Sequence, residues 1–311
     1  MIQLNHVSKM YGNVVGVNDL HVTLEDAAYG LIGPNGSGKT TLINLLLGNL
    51  SPTIGSLSVF GKAPTHDRSI LRRIGLCPAS DVLYPNVSAL EWVRYQVRLH
   101  GISRSKSRRM AIAALETVGM THAMERPIGT YSLGMRQRTK IAQAIAHEPD
   151  LLILDEPYNG LDPVGRAAMT AVLKDWNSGG RSLIFASHVL QEVEAVTSLF
   201  LLIYGGRLLA SGSADEIESI LADTPQQVRL IGEDVNRLAP QLADSEWVDA
   251  MTLHRDRCEL KVSLRDPIAF YESVPKWIVD GNLSVSELRA SDGNLEAIFE
   301  SLLKHHRGET P

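Results

Sequence analysis

At 311 residues the chain has room for about two domains of ordinary size. Its apolar share of 44% supports a sizeable core, and its charged share of 21% is that of an ordinary globular protein, which excludes a disordered chain. A net charge of −5 speaks against a protein that binds nucleic-acid backbone, which calls for a basic surplus; the local run Arg104, Lys106, Arg108 and Arg109 reads as the solvated face of a helix start.

The opening residues Met1, Ile2, Gln3 and Leu4 lack the basic start and apolar stretch of a signal peptide. Residues 29–32 predict a buried strand, ended by a glycine-rich run that opens a helix at Lys39. Residues 88–146 read as mostly helical, with no strong strand candidate, a helical subdomain set into an α/β core. Residues 151–154 and 182–186 are continuous apolar runs of the buried, parallel kind, and helical stretches at 166–176 and 190–197 follow them. That alternation predicts an α/β sheet covered on its faces.

The run 199–204 leads into Tyr204-Gly205-Gly206-Arg207, a hairpin turn between two apolar runs. After a helical stretch at 214–222, Asp223-Thr224-Pro225 marks a boundary, giving two domains, 1–222 and 223–311. The second reads strand (228–231), helix (235–242), strand (247–253), strand (259–264), helix (268–278), strand (283–288). That is the split βαβ, ferredoxin-like order of a small α+β domain. A last helix is expected at 295–303. No apolar run approaches the roughly 20 residues of a membrane helix, so the chain is expected to act on a membrane only through a partner. Cys77 and Cys258 make no disulfide framework or metal-ligand spacing, fit a reducing cytoplasm, and are expected to be buried packing. His254, Asp256 and Cys258 share a strand face but lack a fourth ligand, and read as packing or exposed strand residues.

Gly33-Pro34-Asn35-Gly36-Ser37-Gly38-Lys39-Thr40 fits G-x-x-x-x-G-K-[ST] in full and follows a predicted strand. Glycines let backbone N–H groups approach phosphate oxygens, and the helix start adds its positive dipole end. Lys39 supplies a point charge for the β- and γ-phosphates, the Thr40 hydroxyl suits a Mg²⁺ ion, and Thr41 offers a further hydroxyl. The motif by itself says only that a nucleotide's phosphates bind here, since kinases, GTPases and motor ATPases share it.

The apolar run 151–154 ends in Asp155-Glu156. An Asp at the end of a buried strand is the usual metal partner in such enzymes, and a carboxylate beside it can polarise an attacking water. Asp155 is therefore assigned to the metal and Glu156 to the general base. In Asn159-Gly160-Leu161-Asp162-Pro163, Asp162 suits a helix N-cap and Pro163 the first helical position. His188 follows the third apolar run and, in that order, reads as a γ-phosphate contact.

The segment Tyr131-Ser132-Leu133-Gly134-Met135-Arg136-Gln137-Arg138, some 20 residues before Asp155, resembles the signature loop of ABC ATPases. Residues 1 to about 215 as a whole resemble an ABC nucleotide-binding domain, a P-loop NTPase fold. The resemblance implies an ATPase whose signature loop is a second anion site at a helix start. In the family that loop faces the phosphate loop of another cassette, so Ser132 and Gly134 would contact the γ-phosphate of an ATP bound by a second copy, in a homodimer or heterodimer. Tyr11, in Lys9-Met10-Tyr11-Gly12, matches the aromatic that stacks on adenine. Asp162 matches the loop that senses the partner cassette, and His188 the switch histidine; Ser187-His188-Val189-Leu190 and Glu192-Val193-Glu194 are also family-like.

Two positions depart from the pattern. The family segment matching Arg73-Ile74-Gly75-Leu76-Cys77-Pro78-Ala79 normally ends in Gln, which reaches Mg²⁺ or the attacking water and links the site to the membrane subunit; here the position is Ala79. Ser80 or Asp81 is the nearest substitute, the alternative being an extra metal-bound water. Leu133 stands where Gly is common. The resemblance implies a cassette on the cytoplasmic face of the inner membrane that powers a membrane-spanning permease, docked on the helical subdomain and the loop 79–84. The single cassette, the Arg136-Gln137-Arg138 run and the C-terminal extension resemble drug and lipid exporters. The competing reading is an ABC-type ATPase without a permease, such as a translation factor, which usually carries two cassettes in one chain.

Overall fold

The computed structural model describes residues 1–81, 83–220, 226–254, 256 and 258–290. The chain divides into two compact units, Met1–Ser213 and Ala214–Pro311. The sequence placed the boundary nine residues later, after 222; the pairing of the last sheet strand of the first unit ends at Ser213, opposite Leu199.

In chain order the first unit contains β1 (Ile2–Tyr11), β2 (Val14–Leu24), β3 (Ala28–Ile32), α1 (Lys39–Leu46), β4 (Ile54–Val59) and β5 (Ile74–Cys77). The helices α2 (Ala89–Leu99), α3 (Arg104–Thr117) and α4 (Leu133–Ile145) follow. It closes with β6 (Leu151–Asp155), α5 (Pro163–Ser178), β7 (Ser182–Ser187), α6 (Leu190–Glu194), β8 (Leu199–Tyr204) and β9 (Arg207–Ser213). A six-stranded sheet runs β5-β6-β7-β3-β8-β9, parallel except for the final hairpin. Its interior strands β6 and β7 are buried at every residue, which is why they read as apolar runs.

A second, antiparallel sheet, β2-β1-β4, was not legible in the sequence. Its alternation is broken by bulges: His6 and Asp19 take left-handed φ of 51° and 54°, and the β1–β2 register shifts between Leu4 and Val7. Each such shift moves the following apolar residues to the other phase of the strand. Ile2, Leu4, Leu31, Leu45, Ile153 and Ile203 join both sheets and α1 into one core.

The helical subdomain stands where the sequence put it. Ser88 starts α2 with a reciprocal capping box: the Glu91 N–H donates to Ser88 Oγ (3.2 Å) and the Ser88 N–H to Glu91 Oε2 (3.1 Å). Arg104, Lys106, Arg108 and Arg109 are all exposed along α3. The rings of His100, at the end of α2, and His147, after α4, stack 3.8 Å apart at 12°. His147 Nε2 lies 3.1 Å from the Ile74 carbonyl, so it carries a proton toward that acceptor. Burial, with His100 beside it, pushes the His147 imidazole down to about 4.

The second unit contains α7 (Ala214–Ile220), β10 (Gln226–Ile231), α8 (Val235–Ala243), β11 (Val248–His254), β12 (Glu259–Leu264), α9 (Pro267–Asp280) and β13 (Glu287–Ala290). Its strands form one antiparallel sheet in the order β11-β12-β10-β13, the ferredoxin-like arrangement. Val228, Leu230, Leu260 and Val262 pack with Leu238 and Phe270 as a separate core. The last strand is shorter than expected. Residues 283–286 are held in a loop by the Ser284 N–H on Asp234 Oδ2 (2.9 Å), and pairing with β10 begins at Glu287. Cys77 is buried, but Cys258 is exposed, because it turns the chain between β11 and β12 at φ 48° and faces no core. The helix expected at 295–303 lies outside the described residues. Among the described residues no helix is long and apolar enough to cross a membrane.

Candidate active site

The phosphate loop runs from the end of β3 into α1, as the sequence required. Close approach fixes its glycines: a Cβ on Gly33 would stand 2.2 Å from the Ile203 carbonyl oxygen, and one on Gly38, at φ 111°, 2.6 Å from the Gly16 carbonyl oxygen. The β8–β9 hairpin clamps the loop from outside. Gly206 N–H donates to the Ser37 carbonyl (2.9 Å), and Asn18 N–H to the Gly206 carbonyl (2.7 Å). Asn35 and Gly36 are exposed at its crest, whereas Ser37 and Lys39 are buried. The Lys39 ammonium donates to the carbonyls of Gly33 (2.6 Å) and Pro34 (3.2 Å). Ser37 Oγ is buried without a hydrogen-bond partner among the described residues. An unpaired hydroxyl beside a buried ammonium, at the positive end of a helix, suits the oxygens of a bound phosphate chain.

Asp155 and Glu156 close the other side. Thr40 Oγ1 lies 3.4 Å from Asp155 Oδ2. Glu156 takes a left-handed φ of 50°, held by its N–H on the Ala186 carbonyl (2.8 Å); the sharp turn sends adjacent carboxylates in different directions. Glu156 Oε1 meets His188 Nδ1 at 2.9 Å, and Glu156 Oε2 is 3.4 Å from the buried Ser187 hydroxyl. His188 is half-exposed, so its other ring nitrogen is free to meet a ligand. The charges are interlocked: burial lowers the Lys39 ammonium, and Glu156 and Asp155 offset that shift. Burial, then Glu156, raises the Asp155 carboxyl, while Lys39 and the Thr40 hydroxyl pull it back.

Tyr11 reaches this site through Gly16. A Cβ on Gly16 would come within 2.7 Å of the Tyr11 ring and 2.9 Å of the Thr41 methyl, so the exposed ring stands next to the start of α1. Tyr11, residues 33–41, Asp155, Glu156 and His188 thus come together. Ser132, Gly134 and Asp162 do not join them. They line a separate concavity with Gly119, His122 and Leu161, none of which belongs to the phosphate loop or the acidic pair. There Ser132 caps α4, accepting from the Met135 N–H (3.2 Å), and Asp162 caps α5, accepting from the Gly165 N–H (2.7 Å). The departure at Leu133 is accommodated by Gly160: a Cβ there would sit 2.3 Å from Leu133 Cγ, so the missing side chain makes the space.

The loop after β5 is held by α4. The buried Lys140 ammonium donates to the carbonyls of Pro78 (2.9 Å), Ala79 (3.3 Å) and Ser80 (3.1 Å). Asp81, one of the two expected substitutes for the missing Gln, forms an ion pair with Arg136 (2.8 Å, outside hydrogen-bond alignment). Ala79 itself is exposed. Sequence reasoning missed Lys140 and the contact of the Ser187 hydroxyl with Glu156. Their only signal was a position near a motif.

The family model described as "ABC transporter" matches residues 17–159. The chain is 32% identical to a bacitracin transport ATP-binding protein of Bacillus licheniformis, over 97% of each chain. It is 28% identical to a linearmycin resistance ATP-binding protein of Bacillus subtilis, over 97% of this chain and 98% of that one. A lantibiotic transport ATP-binding protein of Streptococcus pyogenes is 34% identical over 71% of this chain and 94% of its own length. Among solved structures, an ATP-binding subunit of an ABC transporter superposes with a TM-score of 0.66 at 26% identity, covering 71% of this chain and 93% of that one. A dimeric bacterial ABC transporter cassette shares the fold, with a TM-score of 0.64 at 23% identity over 68% and 98% of the two chains.

Proposed function

The chain belongs to the ATP-binding subunits of ABC transporters, and on that premise we propose that it powers an exporter through a two-cassette sandwich, with Glu156 as the general base of ATP hydrolysis. One observation carries the catalytic reading: the Glu156 carboxylate is fixed on His188 at 2.9 Å, beside the buried Lys39 and the unpaired Ser37 hydroxyl.

The adenine stacks on Tyr11, and its phosphates lie along residues 33–41, with Lys39 on the β- and γ-phosphates. Glu156 accepts the proton of a water as its oxygen attacks the γ-phosphorus; the bond to the β-phosphate oxygen breaks, leaving ADP and phosphate. His188 orients Glu156 and meets the γ-phosphate. Thr40 Oγ1 and Asp155 Oδ2, hard oxygens 3.4 Å apart beside the loop, suit Mg²⁺, which when bound would neutralise phosphate charge.

The separate concavity of Ser132, Gly134 and Asp162 supports the sandwich. Those residues serve the ATP of a second cassette, identical or homologous, and each chain completes its neighbour's site. The docking face for the membrane-spanning subunit is the loop 79–84 with α2. There the Tyr84 ring lies tilted beside Trp92, centroids 5.2 Å apart, and Tyr95 and Leu99 are exposed apolar side chains. An exposed cluster of this kind marks a protein contact. The transporter names of relatives matched over nearly their whole length favour export, from the cytoplasmic face of the inner membrane, over a permease-free role. The transported compound is chosen by the membrane subunit.

The test is Glu156→Gln. It is expected to leave ATP binding within about twofold and to slow phosphate release on the order of 100-fold or more, the range for loss of a general base. Release at the original rate would remove Glu156 from that role. Recovery of the native chain with ribosomes and not with a polytopic membrane protein would overturn the transporter reading.

A further inference from the structure

Behind Glu156 stands a second carboxylate, Glu192, that the mechanism above does not use. Between them lies the Ser187 hydroxyl, with no solvent exposure. It accepts from the Val189 N–H (3.1 Å) and has one proton to give. Two acceptors compete for it: Glu192 Oε2 at 3.0 Å and Glu156 Oε2 at 3.4 Å. The shorter, better contact takes the proton, so Ser187 presents only lone pairs toward Glu156 Oε2. That oxygen is left unoccupied by a donor and available to a water.

Two carboxylates flanking one buried hydroxyl repel each other unless a cation stands by. Arg166 on α5 supplies it, with Nη1 2.9 Å from Glu192 Oε1. The same guanidinium donates through Nε to the Leu161 carbonyl (3.2 Å), and the Arg166 N–H donates to the Asp162 carbonyl (2.9 Å). Arg166 is therefore anchored in the loop 159–162, which the sandwich turns toward the other cassette.

We propose that Arg166 and Glu192 are positioning residues: they hold the Ser187 proton away from Glu156, and they tie the placement of that carboxylate to the loop facing the second cassette. This rests on the reading of Glu156 as the base. Among the described residues neither side chain makes a hydrogen bond or ion pair with the phosphate loop, so the pair governs turnover and not nucleotide affinity. The contact is an ion pair across two elements, α5 and α6, and its partners are interchangeable in charge.

The experiment measures steady-state ATP hydrolysis by the full chain, as Arg166→Ala, Glu192→Gln, the double variant of these two, Arg166→Lys, and the exchange Arg166→Glu with Glu192→Arg. Arg166→Ala and Glu192→Gln are each expected to lower kcat about tenfold, with KM within about twofold, since a misplaced catalytic group costs rate more than binding. The double variant is expected to lose no more than either single one, and Arg166→Lys to restore most of the rate. If KM rises and kcat holds, if the two losses multiply in the double variant, or if Arg166→Lys is as slow as Arg166→Ala, the positioning role is overturned. The exchange variant guards against misfolding: kcat recovered above that of Arg166→Ala and Glu192→Gln supports the pair, and kcat at or below theirs counts against it. Glu156→Gln separates the two readings. Hydrolysis retained in that variant removes the base, whereas the Arg166–Glu192 coupling is read independently from the other five proteins.

Discussion

The stacked histidines at the foot of the helical subdomain give a quantitative prediction. The His147 imidazole titrates at about 4 in the folded chain against 6.5 ordinarily, chiefly because burial opposes its charged form. In an unfolded chain it takes up a proton near 6.5, and in the native fold only near 4. Between those values the unfolded state binds more protons, so stability rises with pH across the window and is lost as pH falls through it. At about 1.4 kcal/mol per unit, a shift from 6.5 to about 4 amounts to roughly 3 kcal/mol, of which about 2 kcal/mol disappears between pH 7.5 and pH 5. Replacement by Gln removes the titration and keeps an amide to face the Ile74 carbonyl. Urea unfolding at pH 7.5 and pH 5 measures the effect. Trp247 and Trp277 are replaced by Phe, so that emission from Trp92 and Trp176 reports the first unit. The parent is expected to lose about 2 kcal/mol more than His147→Gln between those pH values. Equal losses in the two proteins would show that burial at the His100 stack does not set this titration.

The separate placement of the signature loop predicts that Ser132→Arg leaves ATP binding to each chain within about twofold while abolishing turnover and ATP-dependent dimerisation, because the longer side chain would fill the space that the neighbour's phosphates take in the proposed sandwich. Sizing by light scattering with ATP, in the slow Glu156→Gln background, checks it; a dimer that still forms would remove Ser132 from the interface. Ala79→Gln has an exposed site to fill and is expected to raise the basal or partner-stimulated ATPase rate severalfold. Unchanged rates in both conditions would mean that the missing Gln has no bearing on turnover.

Much of the site was legible because its parts are contiguous in the chain. A strand, a glycine-rich turn and a helix start stand next to one another in the chain, so the motif at residues 33–40 is readable although the β8–β9 hairpin clamps it from afar. Asp155-Glu156 was equally plain, since a buried parallel strand shows as an apolar run and its last residues stand at the sheet's edge. The four-strand order of the second unit followed from segment lengths and turns. The antiparallel sheet of β1, β2 and β4 was not legible, because bulges at His6 and Asp19 break its alternation and it pairs residues as distant in the chain as Ile2 and Val59. The exposure of Cys258 was missed for a related reason: a cysteine at a turn looks in sequence like one in a strand.

The sequence by itself determined the family and a list of candidate parts: a phosphate-loop motif at residues 33–40, an acidic pair at Asp155 and Glu156, and a helical insertion that carries the signature-like loop at Ser132. These are backbone devices and strand ends, specified by residues next to one another. Tertiary structure decided how the parts stand toward each other. It set Tyr11 beside Thr41 across Gly16, fitted Leu133 into the space over Gly160, gave the carbonyls around Ala79 to Lys140, and placed Glu192 and Arg166 behind Glu156. Those relations depend on side chains from different elements meeting at hydrogen-bond distance, and a chain position carries no record of which distant neighbour will fill the space beside it.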